Sequence, residues 1–195
     1  VVDEGAVAAV GHTDATYATA RAALDAGARL GTHLFNAMRP VHHREPGAAL
    51  ALLEHPAAHV EIIADGVHLH PAVVRAAATG AAGPVLVTDA MAAAGAPDGG
   101  YRLGGLDVEV RGRVARLRGS DTIAGSTLTL DAAVRYAVRH AGLPLLDAVR
   151  AATAGPAAVL GRIDIGRLVP GARADLVVLD EDLRVTRVLH AGNWV

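Results

Sequence analysis

The sequence predicts an α/β protein in which parallel strands are covered by helices. Short apolar runs alternate with helix-like segments along residues 7–89. The apolar content, 52% of the chain with only 3% aromatics, is mostly Ala, Val and Leu, which suits packed helices and buried strands. Polar residues capable of chemistry fall at the C-terminal ends of the apolar runs: His12, His33, His68 and Asp89.

The elements follow in order. Val7–Val10 is a first strand ending at Gly11-His12. Thr13 or Asp14 caps a helix over about Ala15–Ala26, closed by Gly27. A second apolar run, Arg29–Leu34, contains His33, and Pro46-Gly47 introduces a short helix through Leu53. Val60–Ala64 is a third strand, followed by Asp65-Gly66-Val67-His68. Pro71 suits a first helical turn and starts a helix to about Thr79. Pro84–Thr88 is a fourth strand that runs into Asp89. Four strand–helix units in succession fit a barrel segment or a doubly wound sheet equally well.

The pattern then changes. Tyr101–Leu117 has Gly, Arg and Val in partial alternation and reads as a β-hairpin. Ser126 or Thr127 caps a helix to about Ala141. Pro144–Ala154 and Pro156–Leu160 read as two further helices, and Ala174–Leu179 and Arg184–His190 as strands around the turn Asp180-Glu181-Asp182.

Several function classes receive no support. A net charge of -2 and pI near 6.6 argue against electrostatic binding to nucleic acid or an anionic membrane. There is no cysteine, hence no disulfide framework and no thiolate chemistry. The apolar runs fall short of the ~20 residues that a membrane-spanning helix needs. The opening VVDEGAVAAVGHTD lacks the basic start and long apolar core of a signal peptide, so a cytoplasmic chain that begins mid-fold is expected. No GxGxxG or GxxxxGK[ST] loop follows a strand, which weakens a nucleotide-binding reading.

In a closed parallel barrel the strand ends converge on one face, where active sites form. His12, His33, His68 and Asp89 would then surround one point. Imidazole suits Zn or Fe, and a nearby carboxylate can act as base on a metal-bound water. Each residue also has an ordinary alternative: a hydrogen-bonded structural His, or an Asp that caps the next segment. His42, His43, His55, His59, His70, His140 and His190 lack this setting and read as surface or structural. Arg44, in HHREPG, is a solvated loop residue or a planar cation for phosphate or carboxylate. TIAGST, residues 122–127, is a helix cap or a set of backbone N–H groups for a ligand oxygen. Trp194 reads as a packing residue.

Six stretches in order, GHTDAT (11–16), THLFNAM (32–38), REPG (44–47), IADGVH (63–68), LVTDAM (86–91) and AGSTLT (124–129), together resemble the N-acetylglucosamine-6-phosphate deacetylases of the amidohydrolase superfamily. The closing GARADLVVLDEDLRVTRVLHAGNWV resembles that superfamily's small β-sandwich domain. The resemblance implies that residues 1–165 form the C-terminal half, strands 5–8, of a (β/α)8 TIM-type barrel with a β-hairpin insertion near 101–118. Residues 166–195 would then be the C-terminal strands of the sandwich.

It also implies roles. His12 and His33 resemble two metal ligands and Asp89 the catalytic acid/base. Asn36, Ala37, Arg44, Asp65, Gly66, Val67, His68, Ile123, Ala124 and Gly125 resemble substrate-binding positions, with Arg44 and His68 as the phosphate pair. The cofactor would be a divalent metal, Zn foremost, with Fe, Mn or Co as alternatives. A ligating Glu and a carbonyl-polarising His of the family come from strands before residue 1. The implied reaction gives acetate and glucosamine 6-phosphate, and family members are commonly dimers whose partner lends phosphate contacts. Two alternatives stand beside it: another amidohydrolase acting on a cyclic amide or other N-acyl sugar, and a truncated, non-catalytic piece of the deacetylase.

Overall fold

The computed structural model describes residues 1–195. After a 3-10 turn at Val2–Glu4, the chain forms β1 (Ala9–Val10), α1 (Tyr17–Asp25), β2 (Leu30–Gly31) and α2 (Gly47–Glu54). β3 (His59–Ile63), α3 (Pro71–Gly80) and β4 (Gly83–Val87) complete four strand–helix units. β5 (Gly99–Leu103), β6 (Leu106–Arg111) and β7 (Val114–Leu117) follow, then α4 (Leu130–Arg139), α5 (Leu145–Ala152) and α6 (Ala154–Val159). β8 (Leu176–Leu179), β9 (Val185–His190) and β10 (Asn193–Trp194) end the chain.

The first sheet is parallel with order β1-β2-β3-β4. A doubly wound sheet reverses its strand order at a switch point, and this order never reverses. Consecutive helices pack on one another, α1 on α2, α2 on α3 and α3 on α4. One layer of helices therefore covers one sheet face. Val60 and Ile62 of β3 point into that layer, where they join Leu52 and Val74 in a fully buried cluster. Glu61, between them in the chain, is only half-buried, as the period of two requires for the opposite face. At the other end of the sheet, Arg29 Nη2 donates to the Val159 carbonyl at 3.4 Å, which places α6 beneath the start of β2.

Some boundaries differ from the sequence expectations. Thr16, not Thr13 or Asp14, caps α1: its side chain accepts from the Thr19 amide. Thr13 instead accepts from the Ala15 amide, and Asp14 is paired with Arg39. β1 and β2 are two residues each, because the chain leaves the ladder at the loops that carry His12 and His33. The expected hairpin at 101–118 is a three-stranded antiparallel meander, β5-β6-β7, with a small core of its own around Val108, Val110 and Ala115. The helix expected from Ser126 starts at Leu130 after Thr129. Ser126 is buried and tied to the Thr88 carbonyl instead. A short β10 adds a third strand to the C-terminal sheet, ordered β10-β9-β8. Trp194 there is half-exposed, with the Arg187 guanidinium 3.7 Å from its ring centre. No helix is long and apolar enough to cross a membrane.

Candidate metal and substrate site

The loops beyond β1, β2, β3 and β4 carry the polar residues. Five of the eight non-glycine residues with positive φ lie here: His12 (43°), His33 (26°), Phe35 (72°), Ala37 (49°) and Asp89 (49°). Left-handed backbone costs an L-residue roughly 1–3 kcal/mol and persists where surrounding bonds over-determine it.

Those bonds are visible. The loops after β1 and β2 are zipped together: the Thr13 amide donates to the Ala37 carbonyl at 2.9 Å, and the Arg39 amide to the Thr13 carbonyl at 3.1 Å. Arg39 also grips Asp14 with two bonds, at 3.0 and 2.8 Å. This guanidinium holds the Asp14 carboxyl below the usual carboxylate range. Asn36 locks its own turn by donating Nδ2–H to the carbonyls of His33 (3.0 Å) and Leu34 (3.2 Å), so its Oδ1 stays free to accept.

The result is a pair of facing imidazoles. His12 Nε2 and His33 Nε2 are 2.8 Å apart, with the rings edge-on and 4.7 Å between centres. His33 is 8% exposed, and its Nδ1 is buried without a partner. Two imidazole nitrogens this close can supply half of a tetrahedral site once neither carries a proton. No three His, Cys, Asp or Glu residues of the chain come together as a metal site. The pair therefore fits a metal as two of its donors.

The convergence expected of four residues is thus realised for two. His68 is turned toward its own loop. Its Nδ1 lies 2.7 Å from Asp65 Oδ2, and Asp65 Oδ1 accepts from the amides of Val67 and His68, both at 2.8 Å. Burial opposes ionisation of Asp65, but the bonds from His68 and the two amides outweigh it and hold its carboxyl below the ordinary value. Asp65 therefore orders the Gly66-Val67-His68 loop. Gly66 has φ 76° and lies under the Tyr136 ring, which a Cβ would meet at 2.8 Å. Burial and the Asp65 charge push the Tyr136 phenol up.

Asp89 is exposed at the end of β4. Its carbonyl accepts from the Ser126 amide at 2.8 Å, and the Met91 amide donates to the Ser126 carbonyl at 2.9 Å. Ile123, Ala124 and Gly125 therefore run beside Asp89. Gly125 has φ 68°, and a Cβ there would come within 3.2 Å of the Asp89 carbonyl. Ala124 is bonded to Ala115 of β7 (3.1 Å), so the meander braces this loop.

Arg44 stands apart. It is exposed in the turn closed by the His42 and Glu45 backbones; its amide donates to His42 Nδ1 at 3.2 Å, and its guanidinium meets His43 Nε2 at 2.9 Å. Nothing in the chain joins it to His68. Glu45 anchors the turn, accepting the Tyr17 amide at 2.7 Å and the Gly47 amide at 3.2 Å.

Sequence reading passed over Glu61. Its Oε2 accepts from the His33 amide at 3.2 Å. The one available signal was a lone carboxylate in the apolar strand HVEII.

Comparison with known families matches residues 2–195 to the amidohydrolase family. The chain belongs to the amidohydrolase family. Among curated amidohydrolase relatives, an N-acetylgalactosamine-6-phosphate deacetylase of Escherichia coli O157:H7 is 46% identical over 94% of this chain and 49% of its own length. An N-acetylglucosamine-6-phosphate deacetylase of Bacillus subtilis is 40% identical over 98% of this chain and 49% of its own. A Mycobacterium smegmatis N-acetyl-D-glucosamine-6-phosphate deacetylase, solved as an aspartate-to-alanine variant with N-acetyl-D-glucosamine-6-phosphate, superposes with TM-score 0.94. It is 56% identical and covers 99% of this chain and 52% of that one. The chain spans about half the length of the relatives it matches.

Proposed function

We propose that this chain carries the catalytic acid/base, two metal ligands and the phosphate contacts of a deacetylase acting on N-acetylglucosamine 6-phosphate. The observation that carries the reading is the His12–His33 pair, with both Nε2 atoms 2.8 Å apart at the mouth of a parallel sheet. Similarity to deacetylases of N-acetylated sugar phosphates over nearly the whole chain supports the substrate class. In this reading β1–β4 are strands 5–8 of a (β/α)8 barrel, and β8–β10 belong to a small β-sandwich.

His12 and His33 would hold a divalent metal, Zn first among Zn, Fe, Mn and Co. The reading needs a carboxylate ligand beyond those of residues 1–195. A metal held there would supply Lewis-acid chemistry, lowering the pKa of water from about 15.7 toward ~7 and polarising the amide carbonyl. Asp89 accepts the proton of the attacking water. It then returns that proton to the sugar nitrogen as the C–N bond breaks, because an amide anion is too poor a leaving group. His68, fixed by Asp65, and Arg44 hold the 6-phosphate away from the reacting amide, so they orient the sugar. Asn36, through its free Oδ1, and Ala37 contact the sugar phosphate as a whole, and Ile123–Gly125 line the sugar. Arg44, exposed at a turn tip, suits a homodimer in which it reaches the partner's site. The setting proposed is the cytoplasm.

The first relative favours a second substrate, the C4 epimer N-acetylgalactosamine 6-phosphate. Acetate release decides between them. The metal-loaded protein should deacetylate N-acetylglucosamine 6-phosphate with higher kcat/KM than its epimer, and unphosphorylated N-acetylglucosamine far more slowly. A preference for the epimer would transfer the assignment to it, and equal rates on the unphosphorylated sugar would end the sugar-phosphate reading. Full turnover by residues 1–195 alone would show that no further ligand is needed.

A further inference from the structure

Glu61 is a carboxylate on the face of β3 away from the helices, and it is half-buried. A charge there is costly unless it is bonded, and the bond it makes explains its presence. The ladder between β2 and β3 pairs Leu30 with His59 and Gly31 with Val60, then stops. Contact resumes at Leu34, whose amide donates to the Glu61 carbonyl at 2.8 Å. Between them, Thr32 turns back to β1, donating to the Val10 carbonyl at 2.9 Å. His33 is therefore extruded from the ladder with φ 26°, and its amide has no strand carbonyl to meet. An unpaired amide at a residue only 8% exposed would cost about 1–3 kcal/mol. Glu61 Oε2 accepts it at 3.2 Å. One residue thus receives two successive amides, one with its side chain and one with its backbone.

We infer that Glu61 is a positioning residue for the metal-ligating face of His33. Its carboxylate clamps the left-handed backbone of His33, and that conformation aims Nε2 at His12. Glu61 joins no three-residue donor group with the histidines in this geometry, and the His33 amide engages its Oε2. The inference rests on the reading of His33 as a metal ligand.

The test is zinc affinity of the protein, measured by competition with a chromophoric chelator, for wild type, Glu61→Gln, Glu61→Leu and His33→Ala. Gln keeps an oxygen acceptor, so Glu61→Gln should stay within about threefold of wild type, whereas Glu61→Leu should bind about tenfold more weakly, the scale of losses seen when outer-shell partners of metal ligands are removed. If His33→Ala loses zinc but Glu61→Leu does not, the positioning role is overturned while the metal reading stands. If His33→Ala binds zinc normally, the metal reading of His33 fails and the inference fails with it. Should Glu61→Leu not fold, amide hydrogen exchange in metal-free wild type decides. The His33 amide should be protected, and exchange at the rate of an unstructured peptide overturns the clamp.

Discussion

His12 Nε2 and His33 Nε2 stand 2.8 Å apart, brought together by two loops that leave adjacent strands at the same end of the sheet. Without a metal, one imidazole donates to the other. With a metal, both lone pairs are needed, so either ring alone is a poor site. Dialysed His12→Ala and His33→Ala should each lose nearly all bound zinc, and the double variant should lose no more, because the two act as one unit. Metal content per chain reads this. A single variant that keeps full zinc would remove its residue from the site.

Asp89 ends β4 with φ 49°, its carbonyl pinned by Ser126 and its side chain exposed. Asn in its place keeps the shape and loses the proton acceptor. General acid–base groups contribute roughly 10²–10⁴-fold, so Asp89→Asn should lower kcat by about that factor with zinc content unchanged. A variant with wild-type kcat would take the acid/base role from Asp89.

How much of this was legible follows from where the signals sit. Strand-end positions of His12, His33 and Asp89 could be read because each lies at or near the C-terminal end of an apolar run. The absence of strand-order reversal could not be read, since a barrel segment and a doubly wound sheet share one alternation pattern. The start of α4 was missed because Ser126 and Thr127 resemble caps, yet Ser126 is spent on the loop beside Asp89. Facing of His68 toward Asp65 was equally hidden: their spacing of three allows a turn, but only the fold shows both Asp65 oxygens used. Glu61 was invisible because its partner is a backbone amide, which no side-chain pattern records.

The Arg44 guanidinium is exposed, bonded only to His43, and so free to meet an anion. Charge-assisted hydrogen bonds of this kind shift binding by roughly 10–100-fold. Arg44→Ala should raise KM for the phosphorylated sugar by about that factor and leave kcat and the slow reaction of the unphosphorylated sugar nearly unchanged. A KM rise of the same size for both sugars would dissociate Arg44 from the phosphate.

Asp65 supplies a pH dependence whose sign is fixed by its bonds. Its folded pKa lies below the ordinary carboxylate value. Its bonds therefore stabilise the loop fully above the unfolded carboxylate value, near 3.9, and that contribution is lost as pH falls through the lower folded value. Asp65→Asn removes this linkage. The stability gap between wild type and Asp65→Asn, from denaturant midpoints, should shrink as pH falls below about 4. A gap that widened below about pH 4 would contradict the assignment.

Gly125 and Gly119 separate backbone strain from contact with the acid/base. Both have positive φ, 68° and 76°, but a Cβ on Gly119 meets nothing within 4 Å, whereas one on Gly125 would press on the Asp89 carbonyl at 3.2 Å and on Met91 Cβ at 3.3 Å. Alanine at either site should cost about 1–3 kcal/mol of strain, a fall of several degrees in Tm at this chain length. Only Gly125→Ala must also displace Asp89, since the Ser126 amide next to it holds that residue's carbonyl. Calorimetry should therefore show comparable losses for the two variants, while kcat falls at least about tenfold for Gly125→Ala alone. Equal kcat values in both would mean that the Ile123–Gly125 loop does not set the position of Asp89, because strain is common to the two and contact with Asp89 is not.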